Sequence, residues 1–556
     1  MFGIDQIKQI LDLIDGFLGG ALWFPFLLLG VGIFFTIYLG VPQVRFFGRA
    51  WRIFLGKEDS GTAPGDTSHF QALSTALSGT VGTGNVAGVA FALFIGGPAA
   101  LLWMWVTAFL GMTTKFVEVT LAHKYREQDE HGEMNGGAWY FLEKRLNMKW
   151  LAVIFAVATV ICVFGTGNLP QSNSMASGME SSFGIPGWVT SGLMALLLAL
   201  VIIGGIKRIA QVTSILVPFM AFLYGIGAVV VLIQNYSTIP EAFGMIFASA
   251  FSGSAAVGGF LGAGFAYAFT KGVGRGLFSN EAGQGSAPIA HASAKADHPI
   301  PEGLVSLLEP FIDTLCICTL TGLVILSTGV WMDKFDQSFV HGDMEIVAGV
   351  YNESSAEDTM QLAEHLNEFS GPENDEVDVF SGELRVENGN IVSTTPITIL
   401  HSRSIAEDVQ INLAGEPFTG VLNVTDGAVD SDFEFTGKSL LHSVPLTQEA
   451  FRTSILGDVG ADLVAIGLLL FAFSTAIAWS YYGDRAITYL FGTKLVLPYR
   501  IIYCIVFFSA AFIDTSVVWK LAAIFIVLMA VPNLLGITLL AKEMKATLKD
   551  FGEKSE

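Results

Sequence analysis

Eleven apolar stretches, each about as long as a membrane-spanning helix, constrain the fold of this chain more than any other feature. A helix needs about 20 predominantly apolar residues to cross a bilayer. The chain is 52% hydrophobic, with a mean hydropathy of +0.57. The stretches lie at about 21–40, 70–96, 98–122, 150–170, 187–205, 209–234, 243–270, 303–331, 457–482, 495–513 and 516–541. The sequence therefore predicts an all-α polytopic membrane protein with eleven spans.

The second stretch is interrupted at its centre by the sequence SGTVGTGNVAG, residues 78–88. Glycine and hydroxyl residues lower helix propensity and free backbone groups. In hydrocarbon, freed backbone is tolerated only where it is buried in protein or lines a polar cavity. An interrupted membrane helix is therefore a candidate site for an ion and a substrate. The alternative is close helix packing through small residues, which the Thr and Asn side chains of this segment make less attractive.

Ten of the eleven stretches divide into two halves of five. The first half begins with the interrupted segment at 70–96, and the second begins with the glycine-rich stretch at 243–270. An odd number of spans gives the two halves opposite orientation across the membrane. Interrupted helices at corresponding positions of inverted halves are typical of secondary transporters. We therefore expect a second interrupted helix in the glycine-rich centre of the stretch 243–270.

Lysine and arginine are concentrated in the loops that follow the first, third, fifth, seventh, ninth and last stretches. Cytoplasmic loops carry such an excess, so one topology satisfies all of these loops. It places the N-terminus outside the cell (or inner) membrane and the C-terminus in the cytoplasm. The segment after the eighth stretch is then extracellular.

That extracellular segment carries most of the chain's charge. Residues 333–456 contain 23 of the 50 acidic and 5 of the 29 basic residues, a net charge of −18 out of −21. Alternating apolar and polar residues, separated by turn signals, predict a small β-rich domain, with one helix at about 356–369. Disorder is the alternative for so acidic a segment. We expect five segments. They are an N-terminal region with the first span (1–69), the two parts of the transporter core (70–332 and 457–541), the acidic extracellular domain between them (333–456) and a cytoplasmic tail (542–556).

Polar residues in two other stretches are candidates for the same site. Gln171 follows Pro170, which frees a backbone carbonyl, and an amide at membrane depth tends to face a cavity. A solvated helix end is the alternative for Gln171. Ser474 and Thr475 could bind a cation, or simply donate to carbonyls of their own helix. Trp479 is a candidate cavity wall or interfacial residue.

Two carboxylates lie on one face of the eighth stretch. Glu309 and Asp313 are four residues apart, and intramembrane carboxylates are functional candidates by default. Gating or proton relay is one interpretation, and a structural ion pair is the other. In the third stretch, Lys115 and Glu118 are predicted to form a local ion pair. The sequence contains no catalytic motif and no phosphate-binding loop, and nothing in it predicts a nucleic-acid partner.

Five motifs resemble those of the sodium:alanine/glycine symporter family, the alanine or glycine:cation symporters. They are 82–90 (GTGNVAGVA), 96–111 (GGPAALLWMWVTAFLG), 276–288 (GLFSNEAGQGSAP), 309–314 (EPFIDT) and 474–483 (STAIAWSYYG). The similarity covers all eleven stretches and departs mainly at Leu102, where the family usually has Phe. The acidic segment has no counterpart in the family pattern, so its protein partner, if it has one, is unknown.

The resemblance implies a LeuT-type fold of two inverted five-helix repeats with one extra N-terminal helix. It implies symport of alanine or glycine with Na⁺, and H⁺ is the alternative coupling ion. The implied substrate-binding residues are Gly82, Thr83, Gly84, Asn85, Gln171, Gly258, Gly259, Gly262 and Trp479. The implied Na⁺ ligands are the hydroxyls of Ser474 and Thr475 with carbonyls near Ser78 and Val81.

Two other classes of function compete with transport. A channel or sensor would use the extracellular domain as its ligand-binding module, but a sensor needs a signalling output and the predicted cytoplasmic tail has only about fifteen residues. A membrane enzyme is disfavoured because catalytic motifs are missing. Uptake driven by an ion gradient at a fixed ratio distinguishes a symporter from a channel.

Overall fold

A computed structural model describes residues 14, 17–18, 23–58, 63–366, 377–392, 394–512 and 515–555 of the chain. Its helices are numbered here in chain order. They are α1 (Trp23–Tyr38), α2 (Phe47–Phe54), α3 (His69–Thr80), α4 (Val89–Gly96), α5 (Ala99–Tyr125), α6 (Lys149–Gly165), α7 (Leu169–Phe183), α8 (Gly187–Ile202), α9 (Gly205–Gln234), α10 (Ile239–Ser252), α11 (Phe265–Asn280), α12 (Ala287–His291), α13 (Pro299–Ser306), α14 (Thr319–Thr328), α15 (Ala356–His365), α16 (Ser443–Arg452), α17 (Asp458–Phe491), α18 (Val496–Ser509), α19 (Thr515–Leu539) and α20 (Ala541–Ser555).

Six helical stretches of the described chain are long and apolar enough to cross a membrane: Ala99–Tyr125, Lys149–Phe183, Gly205–Gln234, Pro299–Thr328, Asp458–Phe491 and Thr493–Phe512. Two further pairs pass the same test together but are bent at a short break. They are His69–Thr80 with Gly84–Gly96, at 54°, and Ile524–Leu539 with Ala541–Glu553, at 61°. Three shorter apolar helices are α1, α8 and α10. The chain is therefore a multi-pass helical membrane protein, and the exact count of eleven spans stays a prediction.

The seventh predicted span, 243–270, is interrupted at its glycines, as the sequence predicts. The helix α10 ends at Ser252, and α11 begins only at Phe265. Between them, Gly253, Gly258 and Gly262 adopt φ values of 83°, 57° and 98°, which side chains with a Cβ rarely take. Isolated bridges join Ser254 to Ala263 and Val257 to Phe260. The glycines thus form a folded loop between two helices.

The segment between α14 and α17 contains most of the protein's strands. In sequence order they are β3 (Lys334–Ser338), β4 (Met344–Ala348), β5 (Gly382–Glu387), β6 (Asn390–Ile391), β7 (Ile397–His401), β8 (Ser404–Ile405), β9 (Glu407–Leu413), β10 (Glu416–Pro417), β11 (Gly420–Val424) and β12 (Phe433–Leu440). The earlier strands β1 (Glu127–Gln128) and β2 (Met134–Asn135) form a separate short hairpin. We call residues 333–440 the inserted domain.

Three antiparallel sheets build the inserted domain, with strand orders β10-β9-β12-β3, β11-β5-β6 and β4-β7-β8. Alternate residues of β5 and β11 point inward, so Leu384, Val386 and Leu422 join a buried apolar cluster. Before the strands, α15 begins at Ser355, whose hydroxyl accepts from the N–H of Asp358. The predicted helix at 356–369 is thus present to His365, and its final residues lie outside the described part of the chain.

The inserted domain is tied to the helical bundle at two places. Arg403, in the turn after β7, donates to the carbonyl of Gly262 at 2.9 Å. At the other end, β12 leads into α16, which packs against the interrupted segment near α4. There the hydroxyl of Thr447 donates to the carbonyl of Val86 at 3.2 Å. The domain is therefore continuous with a helix that covers the candidate site.

His401 is expected to make the inserted domain sensitive to acid. Its Nε2 accepts from the N–H of Val340 at 3.2 Å, and its Nδ1 lies 2.7 Å from the hydroxyl of Ser439. Burial lowers the pKa of His401 from 6.5 to about 4. In the unfolded state the His401 ring takes up a proton around pH 6.5, whereas in the folded state it does so only around pH 4. The stability contributed by His401 is therefore intact above pH 6.5 and is lost as the pH falls from 6.5 towards 4.

Hydrogen–deuterium exchange of the full-length protein tests this prediction. After correction for intrinsic rates, the opening free energy of β7 and β12 is expected to fall by about 2 kcal/mol between pH 7 and pH 5. His401→Gln is the matched control, because its amide replaces both hydrogen bonds and does not titrate. An equal fall in the variant would show that another group is responsible.

Candidate functional site

The first interruption follows a helix that has a well-defined N-terminal cap but ends in the middle of the apolar stretch. A capping box between Ser68 and Gln71 begins α3, and α3 ends at Thr80. Val81 then adopts an extended conformation, with φ −77° and ψ 92°. The chain re-enters a helix through a π-helical turn, Gly84–Gly88, before α4. The break exposes backbone groups of both half-helices towards the centre of the bundle.

A small cavity lies beside this break. The centres of water-sized molecules can occupy about 10 Å³ of it, about the space of one water. The residues that line it come from both half-helices of the break, the junction of α6 and α7, the end of α11, and α17. They are Gly79, Thr80, Gly82, Thr83, Gly84, Thr166, Gln171, Phe278, Glu281, Thr475 and Trp479. The predicted residues Gly82, Thr83, Gly84, Gln171, Thr475 and Trp479 are thus brought together.

Among the residues that the structure describes, three polar atoms at this cavity are buried without a hydrogen-bond partner. They are Oγ1 of Thr83, Oγ1 of Thr166 and Oε1 of Gln171. Gln171 donates through Nε2 to the carbonyl of Thr166 at 3.1 Å, which leaves its oxygen directed elsewhere. A buried polar atom without a partner costs stability unless a ligand or water satisfies it. These atoms therefore favour a polar ligand in the cavity.

The second interruption at the cavity lies at residues 281–286, a position that was not predicted from the sequence. Here α11 ends at Asn280, Glu281 takes a left-handed conformation with φ 53°, and α12 begins at Ala287. The Glu281 carboxylate faces the cavity, where it accepts from Nε1 of Trp479 at 3.1 Å and from Oγ of Ser286 at 2.5 Å. The family-like motif NEAGQGS carried the signal, because it combines glycines with polar residues inside an apolar region.

The expectation that Gly258, Gly259 and Gly262 face the first interruption is therefore wrong in its geometry. The N–H of Gly259 donates to the carbonyl of Met332 at 2.8 Å, and a Cβ on Gly258 would lie 2.6 Å from the same carbonyl. Gly262 contacts Arg403 of the inserted domain. These glycines allow the loop to pack against the base of the inserted domain, and they do not line the cavity.

The predicted Na⁺ ligands lie on both sides of the contact between α3 and α17. Oγ of Ser78 donates to the carbonyl of Ser474 at 2.6 Å, and Oγ of Ser474 lies 3.4 Å from the carbonyl of Ser78. A Cβ on Gly82 would lie 2.5 Å from Oγ1 of Thr475, so Thr475 directly abuts the broken backbone. Val81 is buried next to Gly82. Both α17 hydroxyls also donate to the carbonyl of Phe471, the alternative that the sequence left open.

Asn85 points away from the cavity. Its Oδ1 accepts from the N–H of Gly82 at 2.8 Å, and its Nδ2 donates to Oδ1 of Asp313 at 2.6 Å. The hydroxyls of Ser279 and Thr314 donate to the other Asp313 oxygen, at 2.8 and 2.7 Å. Asn85 therefore joins the broken backbone to a buried carboxylate.

Glu309 belongs to a different cluster, four residues earlier. Its carboxylate accepts from Nζ of Lys115 at 3.0 Å and lies 3.6 Å from Nε2 of His291. His291 and His69 both contact Glu302. The predicted pairing of Lys115 with Glu118 is therefore wrong: Glu118 instead accepts from the amide of Asn533. Within the described chain, Glu309 is part of a buried ion-pair network.

The amino-acid sequence matches the model of a known protein family. The model of the sodium:alanine symporter family matches residues 4–351 and 419–556. The chain belongs to the sodium:alanine symporter family. Residues 352–418, which the family model does not match, lie in the inserted domain. The resemblance inferred from the sequence motifs is thus confirmed.

Curated relatives of this symporter match nearly its whole length. The sodium/alanine symporter AgcS of Methanococcus maripaludis is 38% identical over 538 residues, which cover 96% of this chain and 95% of that protein. An uncharacterized transporter of Haemophilus influenzae is 35% identical over 551 residues, covering 99% and 97%. YrbD of Bacillus subtilis, a putative sodium/proton-dependent alanine carrier protein, is 33% identical over 542 residues, covering 96% and 91%.

Membership of the family fixes the class of the molecule. The protein is a membrane-embedded symporter rather than an enzyme. Na⁺ is its coupling ion, and its substrate is a small amino acid.

Proposed function

We propose that this symporter imports alanine, and glycine as its smaller analogue, together with Na⁺ by alternating access. The observation that carries the proposal is the cavity enclosed by two interrupted helices, which contains broken backbone on one side and the Glu281 carboxylate on the other. A zwitterionic amino acid has one charge for each side. Three further polar atoms of the cavity, Oγ1 of Thr83, Oγ1 of Thr166 and Oε1 of Gln171, have no hydrogen-bond partner among the described residues.

The substrate carboxylate is assigned to the backbone N–H groups of Thr83 and Gly84, because the N–H of Gly82 already donates to Oδ1 of Asn85. The N–H groups at the start of a half-helix point towards the ligand, and the helix dipole is positive there. The Thr83 hydroxyl is buried at the same cavity and has no partner of its own. It can therefore donate to the same carboxylate.

The substrate ammonium is assigned to Glu281, with Gln171 and Thr166 as neutral acceptors. Oε1 of Gln171 and Oγ1 of Thr166 lack partners, and an ammonium supplies three donors. The Glu281 carboxylate is already held by Trp479 and Ser286, which fixes its orientation before the substrate arrives. A charged acceptor in a dry site contributes more than a neutral one.

The side chain of the substrate has little room. The cavity as it stands accommodates about one water, and its walls include the rings of Phe278 and Trp479. Gly167 has no space for any side chain, because a Cβ there would lie 2.1 Å from Cβ of Trp479. The Trp479 ring is therefore fixed, and a short side chain such as a methyl group is favoured.

The coupling Na⁺ is assigned to the hydroxyls of Ser474 and Thr475 with the carbonyls of Ser78 and Val81. Oxygen ligands suit a hard cation. The site would join α17 to the first interruption, which also holds the substrate carboxylate. Na⁺ would therefore stabilise the arrangement that binds alanine, and linkage requires alanine to strengthen Na⁺ binding by the same factor. H⁺ in place of Na⁺ stays a prediction.

We place this site in a LeuT-type bundle of two inverted five-helix repeats, with α1 as the extra N-terminal helix and eleven spans in total. Each repeat contributes one interruption, at 81–88 and at 281–286. The excess of Lys and Arg in the loops after the first, third, fifth, ninth and last stretches supports an extracellular N-terminus, a cytoplasmic C-terminus and an extracellular inserted domain. Lys271 and Arg275, which the sequence places in a loop of the same kind, lie within α11. Rocking of one bundle against the other would expose the site to each side in turn.

Binding of alanine to Thr475→Val tests the shared site. The substitution keeps the shape of the side chain and removes one Na⁺ ligand. The half-saturating Na⁺ concentration for alanine binding is expected to rise about ten-fold, which corresponds to the loss of one hydrogen-bonding group to an ion. Calorimetry in Na⁺ and in K⁺ measures this shift.

The control is Thr493→Val, a substitution in a short turn outside the cavity. It is expected to bind Na⁺ and alanine as the wild type does. Unchanged Na⁺ dependence in Thr475→Val would refute the assigned Na⁺ site. Alanine binding by the wild type that is equally strong in K⁺ would refute the proposed coupling.

A further inference from the structure

Asp313 is a buried carboxylate without a counter-charge. It is inaccessible to solvent and lies in a π-helical turn, Phe311–Cys318, within a stretch that spans the membrane. In the described part of the chain, no Lys, Arg or His comes within ion-pair distance of it. Glu309, four residues earlier on the same stretch, contacts both Lys115 and His291. The two carboxylates therefore differ in what neutralises them.

The groups around Asp313 are neutral and rich in oxygen. The hydroxyls of Ser279 and Thr314 donate to one of its oxygens, and the Asn85 amide donates to the other. The Asp313 carbonyl lies 3.2 Å from the same amide. A hydroxyl can rotate its hydrogen away and present a lone pair, so Ser279 and Thr314 can change from donors to cation ligands.

An ionised carboxylate in a low-dielectric interior is expensive unless a positive charge pairs with it. Hydrogen bonds from three neutral donors lower that cost but leave the net charge in place. Intramembrane carboxylates of this kind mark ion pathways. The missing counter-charge and the convergent oxygens thus point to the same kind of ligand, a small monovalent cation.

We infer that Asp313, Ser279 and Thr314 form a second Na⁺ site, separate from the one assigned to Ser474 and Thr475, so that two Na⁺ ions move with each amino acid. The inference rests on the proposed function. Asn85 links this site to the substrate, because one end of its amide contacts Asp313 and the other holds the N–H of Gly82 at the cavity. A cation at Asp313 would therefore fix the backbone that binds the substrate carboxylate.

The sodium-to-alanine ratio of the full-length protein in proteoliposomes tests this inference. With the voltage clamped at zero, a ten-fold inward Na⁺ gradient balances an alanine gradient of about 100-fold at two ions per alanine, and of about 10-fold at one. We expect the first result for the wild type and the second for Asp313→Asn. Equilibrium binding of ²²Na⁺ to the purified proteins should count two sites and one site.

Ser279→Ala keeps the charge of Asp313 and serves as a second variant. It should retain two ions per alanine but bind the second Na⁺ about five-fold more weakly, as expected for the loss of one neutral ligand. Unchanged Na⁺ affinity in Ser279→Ala would overturn the inference even if Asp313→Asn fails to fold. Tight binding of one ion by Asp313→Asn would show that this variant folds and would support it.

Three further results would overturn the inference. The first is a wild type that couples one Na⁺ to each alanine, and the second is an Asp313→Asn variant that still couples two. The third is acidification of the vesicle interior during alanine uptake that Asp313→Asn abolishes, because the site would then take a proton. A wild type that moves no alanine in any Na⁺ gradient would instead refute the proposed function, while ²²Na⁺ binding would still count the sites.

Discussion

Replacing Glu281 by glutamine is expected to reduce alanine uptake about 100-fold at limiting substrate, because a charge-assisted contact to the ammonium is lost. Glutamine has the same size as glutamate, so it can keep the contacts with Trp479 and Ser286. The effect should therefore fall on substrate binding rather than on folding. Initial rates of labelled alanine uptake into proteoliposomes measure it.

The controls for this prediction separate charge from position. Glu180→Gln removes a carboxylate from an exposed site near the end of α7 and should leave uptake unchanged. Glu281→Asp keeps the charge but shortens the side chain, and an intermediate loss is expected. Sodium binding without alanine should survive in Glu281→Gln. Full uptake by Glu281→Gln would contradict the assigned ammonium site.

Replacing Lys115 by methionine is expected to lower the free energy of unfolding by about 3–5 kcal/mol. Lys115 is inaccessible to solvent, pairs with Glu309 at 3.0 Å, and also interacts electrostatically with Glu118 and Glu281. Methionine fills a similar volume but removes the positive charge that neutralises these carboxylates. The loss of one buried partner is costly because the other charge remains unpaired.

The double variant Lys115→Met with Glu309→Gln tests the cause. It removes both members of the pair, so more than half of the lost stability should return. Equilibrium unfolding in mixed micelles, followed by tryptophan fluorescence, measures all three proteins. A single variant as stable as the wild type, or a double variant no more stable than the single one, would contradict a buried ion pair at this position.

The first interruption was predictable from sequence, because its causes are local. The run of Gly, Ser and Thr at 78–88 lowers helix propensity within an apolar stretch, and α3 does end there, at Thr80. Gln171 and Trp479 were candidates because of their positions in apolar stretches, the family resemblance implied both, and both line the cavity. The apolar stretches likewise predicted a helical membrane protein, since length and hydropathy are nearly sufficient for that conclusion.

The second interruption was misplaced because glycine content does not say which loop faces the cavity. Both Gly258–Gly264 and 281–286 break the helix with residues at positive φ. Only tertiary packing brings Glu281 to Trp479 while it directs Gly262 to Arg403. A charged residue next to the glycines could have indicated the segment that faces the cavity. Glu281 provides one in 281–286, whereas the glycine-rich stretch at 253–264 has no charged side chain.

Ion pairs between residues that are far apart in the sequence could not be predicted from local sequence patterns either. Lys115 and Glu118 satisfy the helical spacing for an ion pair, but Lys115 bonds to Glu309, 194 positions along the chain. In the interior of the bundle, the packing of helices determines which carboxylate lies next to a lysine. One lysine can also reduce the desolvation cost of several buried carboxylates. The same packing separates Glu309 from Asp313, although the two share one helical face in the sequence.

Alanine accumulation against its own gradient is the most direct test of Na⁺-coupled import. Proteoliposomes that hold the full-length protein are loaded with unlabelled alanine at the outside concentration, and labelled alanine is followed after an inward Na⁺ gradient is applied. The account predicts accumulation well above the outside concentration, which collapses when an ionophore dissipates the Na⁺ gradient. Equal alanine levels inside and outside, or the same accumulation with a K⁺ gradient in place of Na⁺, would contradict it.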